Sequence, residues 1–119
     1  MIVIVTGGRD YAGTGLVEAL DEVLAKHPGL VLYVGDARGA DARARAWAES
    51  RGVPCREFAA NWSLGPAAGP TRNAIMVSSA ANFARMDPAL CLAAPGGRGT
   101  ADCVERCRKA GIEVREVKS

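Results

Sequence analysis

Histidine and aromatic residues are scarce in this chain: among 119 residues there is one His, and there are two each of Trp, Tyr and Phe. His27 stands in Lys26-His27-Pro28-Gly29, a helix-ending sequence, so Ser-His-Asp and Cys-His sites find no support, and neither does a histidine-based metal site. Long apolar runs are missing as well. The longest, Met1–Val5 and Leu30–Val34, fall far short of the roughly 20 residues that a membrane helix needs. The amino terminus has neither a basic start nor a small-residue cleavage site, and the expectation is a soluble protein that stays in the cytoplasm. An excess of charge of one sign is also absent. Fifteen basic against 13 acidic residues leave a net charge of +2, too balanced for a nucleic-acid surface or a membrane stripe. With 49% hydrophobic and 24% charged residues the composition excludes disorder and coiled coils, and the length allows one domain, residues 1–119.

The four cysteines, Cys55, Cys91, Cys103 and Cys107, contain no C-x-x-C pair. Cys55 and Cys91 sit in strand-like apolar stretches, and Cys103 and Cys107, spaced i, i+4, share one helix face. They read as reduced, mostly buried thiols that pack like small apolar side chains. No metal and no cofactor is implied.

What is present is alternation. Met1–Thr6 is continuously apolar and β-branched, as in a strand buried on both faces. Gly7–Gly13 is a loop, and Thr14 is placed to cap a helix carrying Leu16, Ala19, Leu20, Val23 and Leu24 on one side. Leu30–Val34 predicts a second strand, Ala40–Ser50 a second helix stopped by Gly52, and Val53–Phe58 a third strand whose proline favours a sheet edge. A loop over Ala59–Gly69 holds Trp62, and Pro70 opens a helix to about Ala84. Ala89–Ala94 predicts a fourth strand, Thr100–Ala110 a fourth helix with Gly111 beyond it, and Ile112–Val117 a fifth strand. Strand, helix, strand in repetition means right-handed crossovers, hence an α/β fold: a Rossmann-like three-layer sandwich around a mainly parallel five-stranded sheet. Ligands of such sheets sit beyond the carboxyl ends of the strands, where the strand order reverses.

Glycines and arginines collect in the segments destined for that edge. Gly7-Gly8-Arg9-Asp10-Tyr11 follows the first strand; paired glycines let a backbone approach a ligand, and Arg9 offers a forked donor. Gly35-Asp36-Ala37-Arg38-Gly39-Ala40-Asp41 follows the second, with Asp36 and Arg38 read toward ligand and Asp41 shared between ligand and the start of a helix. Arg72 and Asn73 stand in the first turn of the helix after the Trp62 loop. The most specific segment is Pro95-Gly96-Gly97-Arg98-Gly99-Thr100, because an apolar strand, a glycine-rich turn and a helix start together aim backbone N–H groups at a phosphate. It lacks the Gly-Lys-Ser/Thr of a Walker A loop, and the first turn lacks a full G-x-G-x-x-G.

Taken in order, Thr6-Gly-Gly-Arg-Asp-Tyr11, Gly35-Asp-Ala-Arg-Gly-Ala-Asp41 with Trp47-Ala48, Ala60-Asn-Trp62, Gly69-Pro-Thr-Arg-Asn73 and Pro95-Gly-Gly-Arg-Gly-Thr100 resemble the SLOG superfamily over nearly the whole chain. The likeness is greatest to its small YspA-like branch, found in phages and bacteria. That resemblance implies a nucleotide-related ligand and commonly a dimer. The superfamily also contains LOG-type phosphoribohydrolases, which cleave the N-glycosidic bond of nucleoside monophosphates and carry R-K-x-x-M and P-G-G-x-G-T-x-x-E. Arg72–Met76 looks like the first motif with Asn73 in place of Lys, and Pro95–Thr100 matches the second, but Cys103 stands where the enzymes place their catalytic Glu. A thiol cannot supply the fixed negative charge that a cationic sugar needs. If the chemistry persists, the resemblance puts it on Arg72 with Asp102 or Asp36 as the acid; Asp10 and Asp41 are further carboxylates within the motifs.

The expectation is therefore a nucleotide or ADP-ribose-like ligand held as a sensor or sequestering protein would hold it, with Tyr11 or Trp62 stacking on the base. An N-glycosidase or phosphoribohydrolase is the alternative. Single-stranded DNA binding, suggested by the DprA part of the superfamily, has few aromatics to work with. Alanine-rich faces on Ala40–Ala48 and Ala74–Ala84 suit either a two-fold interface or plain packing on the sheet.

Overall fold

In the computed structural model, which describes residues 1–84 and 86–119, five strands and four α-helices alternate along the chain. They are β1 (Ile2–Thr6), α1 (Gly15–Lys26), β2 (Val31–Gly35), α2 (Ala40–Arg51), β3 (Cys55–Phe58), α3 (Ala68–Phe83), β4 (Ala89–Ala93), α4 (Arg98–Lys109) and β5 (Glu113–Glu116), with a 3-10 segment at Trp62–Ala67. The strand order is β3-β2-β1-β4-β5 and every pairing is parallel, with Ile4 opposite Tyr33 on one side and Cys91 on the other. The Rossmann-like sandwich expected from the sequence is the observed fold.

β1 is central and buried at all five positions because helices cover both faces. Its odd residues Val3 and Val5 meet Leu16, Leu20 and Val23 of α1 and Ala40, Ala44, Trp47 and Ala48 of α2. Its even residues Ile2 and Ile4 meet Met76, Val77 and Ala80 of α3 and Cys103 and Cys107 of α4. Full burial of side chains such as Leu16 and Leu20 contributes about 1.5–3 kcal/mol each relative to exposure. The alanine faces of α2 and α3 are thus taken by the sheet, while Ile75 and Phe83 point outward from α3. Trp47 anchors α2 to α1 by donating its indole N–H to Asp21 at 2.8 Å; with Arg51 beside it, that bond holds the Asp21 carboxyl below its ordinary range.

Local details depart from expectation in four places. Thr14 occupies the N-cap of α1 but its side chain makes no capping bond; the hydroxyl of Tyr11 takes the backbone N–H of Leu16 instead, at 3.0 Å. α3 begins at Ala68, so Pro70 is its third residue, still within the first turn where no backbone N–H is needed. α4 begins at Arg98, two residues early, which brings the glycine-rich segment into the helix start. Cys55 is exposed while the other three thiols are buried, because β3 is an edge strand as its proline indicated, and one flank lacks cover. No helix of the described residues is long and apolar enough to cross a membrane.

Candidate functional site

Strand order reverses between β1 and β4, and the turns that leave their carboxyl ends cross there. Gly8 donates its N–H to the Pro95 carbonyl at 2.8 Å, and Ala94 donates to Thr6 at 2.9 Å. The Gly35–Gly39 turn is stitched to the same place, since Ala40 N–H donates to the Gly8 carbonyl at 3.1 Å. Between these turns and the α3 start lies a cavity of about 420 Å³. Its floor is Val5, Thr6, Gly35, Asp41 and Met76, its walls are Arg72 and Asn73 of α3 and, bonded to Asn73, the Gly97–Thr100 segment of the α4 start, and Arg9 and Trp62 stand at the mouth. The Arg9 guanidinium lies 5.2 Å from the Trp62 ring centroid, a cation–π contact that closes one rim.

The amino end of α4 opens into this space. No side chain caps Gly97, so the first N–H groups of the helix carry their partial positive charge uncovered. A Cβ placed on Gly97 or Gly99 would meet nothing within 4 Å, so glycine at these positions leaves room rather than relieving a clash.

A chain of polar contacts holds the far wall. Arg72 donates from Nη1 to Asp36 Oδ1 at 3.0 Å and from Nε to Asn73 Oδ1 at 2.9 Å. Asn73, only 3% exposed, donates its amide to Asp102 Oδ2 at 3.0 Å and to the Gly99 carbonyl at 3.2 Å. Arg106 Nε also donates to Asp102, at 3.0 Å, and Ala60 N–H donates to Asp36 at 3.2 Å. Both carboxylates named from the sequence as candidate acids are thereby engaged by cations, and neither lines the cavity. Cys103, at the position where the hydrolases carry Glu, is fully buried against Cys91 and Cys107 beneath the sheet. Hydrogen bonding to Cys103 and Cys107, with burial, pushes the Cys91 thiol upward.

Asp41 is different. It lines the cavity at 6% exposure, and its Oδ2 accepts the Ala37 N–H at 3.2 Å. Burial raises its pKa to about 6, against the opposing pull of that hydrogen bond and of Arg72 and Arg45.

Of the residues picked from the sequence, Gly7, Gly8, Arg9, Gly35, Asp41, Trp62, Arg72, Asn73, Gly97, Gly99 and Thr100 converge on one cavity. Asp10 and Arg38 pair with each other at 3.3 Å on the surface, and Arg98 is exposed outside the lining. Gly96 packs between Thr100 and the Gly8 backbone. Tyr11 does not face a ligand: its ring belongs to the α1–α2 core and its hydroxyl is spent on Leu16. Arg45 was missed. It donates to the carbonyls of Gly35 at 2.8 Å and Ala37 at 3.1 Å and pairs with Glu57, fixing the turn that carries Asp36. Its spacing, one helical turn after Asp41, was the available signal.

The model of the YspA, cpYpsA-related SLOG family, YAcAr, matches residues 1–65, from β1 through the Trp62 turn. The chain belongs to that family. A second likeness spans both ends: the Gene 61 protein of Mycobacterium phage D29 is 38% identical over 122 residues, covering 94% of this chain and 92% of the phage protein. Membership of the SLOG family points to nucleotide-related binding or processing in general. The matched YAcAr region supplies Arg9, Asp41 and Trp62, whereas Arg72, Asn73 and the Gly97–Thr100 turn lie beyond it.

Proposed function

We propose that this domain binds a nucleotide or nucleotide-derived ligand, ADP-ribose-like in kind, at the carboxyl edge of the sheet and acts as a sensor or sequestering protein. The observation that carries the reading is the uncapped start of α4, whose Gly97 and Gly99 carry no side chain over it and line the same cavity as Arg9 and Trp62. Backbone N–H groups and a guanidinium suit phosphate, and the half-exposed Trp62 ring suits a base.

Hydrolysis is the less favoured reading. Cleaving an N-glycosidic bond asks for an ionised acid at the sugar, yet Asp36 and Asp102 are held by Arg72 and Arg106 outside the cavity and Cys103 is buried, which leaves Asp41, pushed toward its neutral form by burial, as the one carboxylate among the described residues in the lining. Single-stranded DNA binding is disfavoured by the near-balanced charge and by a single exposed Trp at the site. A homodimer is part of the proposal, with the exposed Ile75 and Phe83 on the outer face of α3 as its apolar contact, and light scattering measures it directly.

The test is mass spectrometry of the purified protein under native and then denaturing conditions, followed by incubation with mixed nucleoside monophosphates and ADP-ribose. A retained, chemically unchanged nucleotide is the expected result. Release of free base with ribose 5-phosphate, abolished by Arg72→Ala, would replace binding by hydrolysis.

A further inference from the structure

Asp41 is the one carboxylate among the described residues that lines the cavity. It makes no ion pair with any of them, and the Ala37 N–H occupies Oδ2 alone. Oδ1 accepts from none of the described residues, and since no fully buried side-chain oxygen among them lacks a partner, it keeps some exposure in a residue that lines this cavity. An ionised carboxylate is acceptor-only, and on a floor this closed it asks the ligand for a donor and repels phosphate. The groups that favour phosphate lie elsewhere in the lining, at Arg9 on the rim and along the Gly97–Thr100 wall. A nucleotide can satisfy both demands in one orientation, with phosphate at the wall and rim and the sugar hydroxyls directed inward.

We infer that Asp41 is the specificity-determining acceptor of the site, taking the ribose hydroxyls of the ligand and thereby selecting ribonucleotides over their 2′-deoxy forms. The inference rests on the nucleotide reading above. A 2′-deoxy sugar removes the donor and leaves a desolvated carboxylate oxygen without a partner, the kind of loss that sites built around a hydroxyl reject strongly. Asp41 touches the bound sugar in this arrangement; Arg45 and Ala37 position it.

Calorimetric titration of the wild type with the four ribonucleoside monophosphates, their 2′-deoxy counterparts and ribose 5-phosphate tests this without any variant. The expected result is at least tenfold weaker binding of the deoxy forms, together with measurable binding of ribose 5-phosphate, which carries phosphate and hydroxyls but no base. Asp41→Ala and Asp41→Asn, checked for cooperative melting, should bring the ribo and deoxy affinities to within about threefold by weakening the ribo forms. Equal binding of ribo and deoxy forms by the wild type overturns the assignment and leaves the nucleotide reading standing. A preference that follows the base and survives in Asp41→Ala also overturns it. If none of these probes nor ADP-ribose binds the wild type, the nucleotide reading falls and the inference with it.

Discussion

A Cβ added to Gly7 would lie 2.5 Å from the Cβ of Ala40, and one added to Gly8 would lie 2.9 Å from the Pro95 carbonyl oxygen. One added to Gly97 or Gly99 would meet nothing within 4 Å. The two groups stand on turns that cross at the same sheet edge, yet a side chain at the first would collide with the protein itself and one at the second would stand clear of it. A glycine-rich turn read from sequence merges the two roles, and only the packing around each position separates them. The first and second turns thus form an interlocked frame, while the Gly97–Thr100 turn leaves the open space on which the proposed phosphate site rests.

The frame can be broken most severely at Gly39. Its φ of +74° lies in the left-handed region, and a side chain there would run into the carbonyl oxygens of Gly8 and Arg9. Gly39→Ala should cost at least about 3 kcal/mol, the strain and the clash acting together. Urea unfolding followed by circular dichroism reads the loss as a lower midpoint. An unchanged midpoint would mean that the first two turns do not interlock as described.

The next effect separates the floor of the cavity from its frame. Asp41 has its pKa raised from 3.8 to about 6, chiefly by burial, while Arg72 from α3 and Arg45 from α2 pull the other way and Cys103 of α4 adds a small upward push. The folded protein therefore holds a proton that the unfolded chain has already lost between those two values, and stability falls as pH rises through that window. The fall from this one group is roughly 3 kcal/mol, complete above pH 6. Asp41→Asn should flatten that part of the pH–stability curve and unfold at higher denaturant than the wild type at pH 7. A wild-type curve that climbs between pH 4 and 6, with the same slope in the variant, would remove Asp41 as a buried acid.

These two cases also mark what the sequence could convey. The sheet was legible because a central parallel strand is apolar on both faces, as Met1–Thr6 is, and because Gly and Pro punctuate each crossover. Even the edge placement of β3 followed from Pro54, whose missing N–H is not required where Leu32 donates to its carbonyl. The turns of the site were legible for the same reason, but the directions of their side chains were not. Asp36 and Arg38 looked better placed for ligand than Asp41; in the fold Asp36 is taken by Arg72, thirty-six positions later in the chain, and Arg38 by Asp10 on the surface. Asp41, which passes for an ordinary first-turn acid, is buried because Gly35 leaves space for it and α3 closes over it. Burial at such a point is a long-range property that local spacing does not encode. Tyr11 shows the same limit from the other side, since its hydroxyl is drawn into the core by an N–H that the Thr14 side chain leaves uncapped.

The smallest expected change in stability makes the sharpest test of the comparison. Gly99 sits in the first turn of α4, with ordinary backbone geometry and free space where a Cβ would go. Alanine is the better helix former by about 1 kcal/mol in a helix interior and by less this close to the end, so Gly99→Ala should leave the unfolding midpoint level or slightly raised. Gly99 also lines the cavity, so on the proposed reading the added methyl takes up space that a phosphate needs to reach the N–H groups of the helix start. Binding of whichever nucleotide the wild type retains should fall at least tenfold in the same protein that melts no earlier. A variant that is equally stable and binds equally well would show that this glycine, like Gly7, is present for the chain alone, and the ligand would then have to be sought away from the α4 start.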